Sequence, residues 1–106
     1  MEKANISEQI RNIQHSTLSP SKKQSETKKL FDEYVKFNSS DVLFSDFIQT
    51  IAKVVMNSIN TTENFVPVNF KLCSIDNAKK FSSRIGIHIA EVHSTMYLSW
   101  GVPLNK

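Results

Sequence analysis

The chain has 106 residues, a length that fits one domain with a modest hydrophobic core. It contains only 2 glycines and 3 prolines, which is few for an all-β sandwich with its frequent turns and favours long helices. The net charge of +3 permits contact with nucleic acid or an acidic protein without requiring it, and no apolar run is long enough to span a bilayer.

The amino-terminal residues and the cysteine content indicate in which cell compartment the protein works. Residues 1–19 are polar and lack the apolar segment of a secretory signal. The single cysteine, Cys73, has no internal disulfide partner, which is consistent with a reducing environment. We therefore expect a cytoplasmic protein without membrane contact.

A short helix is predicted near the amino end. Isoleucines recur at spacings of four and three from Ile6 to Ile13, which is typical of an amphipathic helix over residues 5–15. A segment rich in Ser, Lys and Thr comes next and predicts a polar loop around residues 15–27.

Two longer helices come after this loop. Ser19 and Pro20 suit an N-cap and the first helical position, and the apolar residues beyond them predict a second helix that ends at Phe37. Ser40 or Asp41 can cap a third helix, whose apolar residues keep a 3.6-residue period through to residue 59.

One strand is predicted in the second half of the chain. Apolar residues alternate with others from Val66 to Leu72, which is the period of a β-strand. Since no other segment gives an equally clear strand signal and Pro67 removes one backbone donor, we expect an edge strand that pairs with its copy in a second subunit.

The last predicted element is a helix capped by Asp76, with apolar residues stepping by three or four from Ala78 to Met96. Gly86 lowers its helix propensity, so a break there with two shorter helices is the alternative. The predicted fold over residues 1–106 is one mainly α domain. It is a small helical bundle with one short β segment that pairs across a homodimer.

The reactive residues do not form a catalytic or metal-binding pattern. Cys73 has no companion base motif, so it is interpreted as a small buried hydrophobe. His88 and His93 are five residues apart and would lie on different helix faces. With glycine only at positions 86 and 101, a phosphate-binding glycine loop is excluded. We expect neither enzymatic activity nor a bound cofactor.

The carboxyl-terminal region, residues 74–102, is basic and carries the remaining candidate site residues. Arg and Lys neutralise DNA phosphates, and a short helix fits a groove. The alternative interpretation is a solvated helix face. The candidates in this region are Lys79, Lys80, Ser83, Arg84, His88 and His93.

Four sequence blocks resemble the FlhD subunit of the flagellar master transcription activator, in order and at nearly that family's spacing. The blocks are residues 10–16 (IRNIQHS), 64–72 (NFVPVNFKL), 83–85 (SRI) and 92–99 (VHSTMYLS). Together they span most of the chain.

The resemblance implies a homodimer that joins a larger FlhC-like subunit, binds promoter DNA and recruits RNA polymerase. Zinc is expected on the partner subunit only. The resemblance assigns DNA contact and activation to Ser83, Arg84, Ile85, His93 and Ser94, and subunit contact to the position of Asn64.

The predicted edge strand extends this interface. The expected interface residues are Asn64, Val66, Val68, Phe70 and Leu72. Val68 stands where the family has a cysteine that can link subunits, which places a covalent dimer in doubt. The departures from the family suggest a relative carried by a mobile element, where similar activators switch on conjugative-transfer genes. Flagellar and conjugative-transfer promoters both stay open as targets.

Two functions from different classes are consistent with these features. The first is a DNA-binding transcriptional activator subunit. The second is a small helical protein-binding inhibitor or immunity protein with no nucleic-acid role, suggested by the small size, the weak charge and the missing catalytic pattern.

Overall fold

The computed structural model describes residues 6–37, 40–70 and 74–101. Within them the chain is mainly α, as predicted, with one small antiparallel sheet. The elements in chain order are α1 (Ile6–Gln14), α2 (Pro20–Phe37), α3 (Val42–Ser58), β1 (Phe65–Val68), α4 (Ile75–Ile85), β2 (His88–Val92) and β3 (Thr95–Ser99).

The starts of α2 and α3 are set by local capping. The Lys22 backbone N–H donates to the Ser19 hydroxyl over 3.3 Å, which confirms the predicted cap. The Phe44 N–H donates to the Asp41 carboxylate over 3.1 Å, and Asp41 is the N-cap of α3. Because α2 already begins at Pro20, the loop before it is shorter than the predicted loop over residues 15–27.

The last helix starts at a different cap and ends earlier than the apolar spacing predicts. Ser74 caps α4, because its hydroxyl accepts a hydrogen bond from the Asn77 N–H over 3.2 Å, so the predicted Asp76 cap is wrong. Gly86 takes a left-handed conformation (φ 82°) and ends the helix. The predicted single helix through to Met96 is therefore wrong, and the alternative, a break at Gly86, is confirmed. The residues after the break form β2 and β3 and not the second short helix of that alternative.

The three strands form one sheet in the order β1-β3-β2, with both neighbouring pairs antiparallel. Val66 pairs with Leu98, and Leu98 pairs with Ile89 on its other side. The mate of the predicted lone strand is therefore β3 of the same chain, and the prediction of an unmated strand is wrong.

Pro67 lies on the outer edge of this sheet. The Trp100 N–H donates to the Asn64 carbonyl over 2.9 Å, so this is a hydrogen-bonded pair. Pairs of the two types alternate along an antiparallel ladder, which makes Pro67 and Tyr97 a non-hydrogen-bonded pair. The missing N–H of Pro67 consequently faces away from β3 and weakens the edge as a template for another strand.

The core lies between the helices and the inner face of the sheet. Its aromatic centre is formed by rings whose centroids are 5.1 to 6.3 Å apart. The members of this aromatic cluster are Phe44, Phe47, Phe70 and Phe81. Ile6 and Ile10 of α1 are fully buried, so the stripe of the short first helix is covered within the chain.

A buried polar network joins α1 to the end of the sheet. The Gln14 amide N–H₂ donates to the carbonyl oxygens of Thr61 (2.9 Å) and Glu63 (2.8 Å). Its carbonyl oxygen accepts from the indole N–H of Trp100, a fully buried side chain, over 3.2 Å. The Arg11 guanidinium donates to the Trp100 carbonyl over 2.8 Å. The Gln14 side chain thus forms hydrogen bonds with three groups, two in the segment before β1 and one directly after β3.

We predict that Gln14→Leu lowers the free energy of unfolding by about 2–4 kcal/mol, because it leaves buried donors and acceptors unpaired. Urea denaturation would measure this change. Gln49→Leu, at an exposed position of α3, is the matched control and should change stability by less than about 0.5 kcal/mol. Equal midpoints for the two variants would contradict the role of the network.

Candidate nucleic-acid interface

The exposed face of α4 carries most of the predicted site residues. The helix buries one side against the core through Ala78, Phe81, Ser82 and Ile85. The opposite side is exposed and carries Lys79, Lys80, Ser83 and Arg84. Because the buried positions step by three and four, the cations between them are directed to solvent.

The positive charges of α4 are not neutralised by ion pairs within the described residues. The ion pairs found there are Lys28 with Asp32 (2.9 Å) and Lys29 with Glu26 (3.5 Å), both on α2. Asp76 also lies on the exposed side of α4, so this helix carries an excess of two positive charges. Its face is available to an anion.

Arg84 is held by aromatic rings. Its guanidinium carbon lies 4.7 Å from the ring centroid of Phe44 and 5.5 Å from that of Phe81. A cation over an aromatic face is attracted by the ring quadrupole, by about 0.5–1 kcal/mol at exposed sites. Among the residues that the structure describes, none accepts a hydrogen bond from Arg84, so none of them competes with a ligand for its donors.

His93 and Ser94 form the two-residue turn between β2 and β3. Both are exposed and both have positive φ, 52° and 67°. Positive φ at both central positions defines a type I′ turn, which matches strand twist but favours Asn and Gly. His93 and Ser94 occupy these positions instead, at a conformational cost. Backbone strain of this kind often accompanies a functional role.

The structure divides the predicted DNA-contacting residues between two elements. Lys79, Lys80, Ser83 and Arg84 lie on α4, whereas His93 and Ser94 lie at the hairpin tip. β2 is five residues long, so the hairpin tip lies about 16 Å along the strand from Ile87, which follows the end of α4. His88 is exposed at the start of β2.

Ile85 does not fit direct DNA contact. Its side chain is 4% exposed and belongs to the core. The role that the family resemblance assigns to it must be corrected to anchoring α4 beneath the exposed cations.

The predicted subunit interface is also largely internal. Val68 and Phe70 are each 8% exposed, and Val66 packs against the same core. Asn64 gives its backbone carbonyl to Trp100, and its side-chain oxygen is buried without a hydrogen-bond partner among the described residues. Leu72 and Cys73 lie outside the described residues. Val66, Val68 and Phe70 thus stabilise their own chain and do not form an accessible contact surface.

No His, Cys, Asp and Glu side chains in the described ranges cluster as a metal site would require. None of the described helices is both long and apolar enough to cross a membrane.

Comparisons of the chain with family models, curated proteins and solved structures find no match. The similarity to FlhD therefore remains a prediction from the four sequence blocks.

We predict that Ser94→Gly stabilises the protein by about 0.5–1 kcal/mol, since glycine adopts positive φ without steric cost. Thermal denaturation would measure it. The same substitution at Ser83, exposed on α4, should destabilise by a similar amount because glycine is a poor helix former. A loss of stability in Ser94→Gly would contradict the type I′ assignment.

Proposed function

We propose that the chain is a non-enzymatic, DNA-binding regulatory subunit that contacts the duplex through α4 and the β2–β3 turn. The observation that supports this best is the exposed face of α4, where Lys79, Lys80 and Arg84 have no ion-pair partner among the described residues. Unpaired exposed cations on one helix attract phosphates and release condensed counterions on binding.

The dimensions of these elements suit a DNA groove. An α-helix with 11 residues is about 16 Å long and fits the major groove, which also admits a two-stranded β-ribbon. Arg84 is the best candidate for an oriented contact, because the rings of Phe44 and Phe81 restrict its guanidinium. Ser83 is exposed next to it and offers a hydroxyl to a phosphate or a base.

The number of cations favours action within an assembly. Three phosphate contacts give a salt slope of only about −2.7, which corresponds to weak binding at physiological salt. A partner that adds contacts would supply the missing affinity. The family resemblance suggests an FlhC-like zinc subunit, promoter DNA and RNA polymerase as partners in the cytoplasm, with flagellar or conjugative-transfer promoters as targets.

A protein-binding inhibitor or immunity protein remains the second candidate function. It is favoured by apolar side chains on the sheet surface that faces away from the core, where Phe65 is 52% and Val92 48% exposed. Exposed apolar residues grouped on one surface are typical of protein interaction sites.

We predict that combining Lys79→Ala, Lys80→Ala and Arg84→Ala weakens binding to duplex DNA and reduces the salt slope by about three units, one for each lost phosphate contact. Fluorescence anisotropy of a labelled duplex of mixed sequence, titrated at several salt concentrations, would measure both quantities.

The matched control removes three exposed lysines elsewhere, by Lys22→Ala, Lys36→Ala and Lys53→Ala on α2 and α3. It changes the net charge equally, so a specific α4 contact requires a smaller effect from the control. Equal slopes for both triple variants would mean that DNA is bound by general charge attraction and not by a specific contact of α4. No binding by the unmodified chain at low salt would favour the inhibitor hypothesis.

A further inference from the structure

We draw no further inference here: the strongest candidate, the face of the sheet turned away from the core, with Phe65, His88, Val92 and Tyr97, is an unpartnered and largely apolar surface, and nothing in the described part of the structure shows what covers it.

Discussion

The left-handed conformation of Gly86 is the constraint on which the carboxyl half of the structure depends. The backbone N–H groups of Gly86 and Ile87 both donate to the Ser82 carbonyl over 2.9 Å; the first is the hydrogen bond of a left-handed helix cap, and the second is the six-to-one bond also found in Schellman ends. The Gly86 carbonyl accepts from the Ser7 hydroxyl over 2.6 Å, which ties this turn to α1. Because the chain reverses here, β2 and β3 can return along the sheet and supply the mate of β1. A helix continued through this position would leave β1 unpaired.

The same turn separates the two surfaces that carry the proposed functions. Before Gly86, α4 buries Ile85 and displays Lys79, Lys80 and Arg84. After it, β2 and β3 bury alternate residues and display a face around Tyr97 that carries no Lys, Arg, Asp or Glu side chain. A cationic surface for a nucleic acid and a largely apolar surface for another protein thus lie on neighbouring elements that use different side chains. This separation allows each to be altered by substitution without changing the other.

The residues predicted to form the subunit interface are buried in the core, so a dimer contact would have to use other residues. Alternation along a strand places successive side chains on opposite faces, so a prediction that selects Val66 and Val68 selects the side that the core occupies. Phe65 and Pro67, one residue out of phase, are the ones that reach solvent. The predicted alternation is present in β1, and the helices of the same chain cover its apolar face.

The sequence by itself determined the helices α1, α2 and α3, because their apolar period and the caps near Ser19 and Asp41 are local signals that need no distant partner. It also located the exposed cations of α4, and it offered the break at Gly86 as an alternative to a continuous helix. The tertiary structure decided the conformation of residues 88–99, where the apolar spacing from Ile89 to Met96 fits a helix as well as a strand, and pairing with β1 selects the strand. The burial of Ile85, the packing of Arg84 on two rings and the exposure of Phe65 and Val92 on the sheet likewise depend on contacts between segments far apart in the chain. Periodicity along one segment does not contain such contacts.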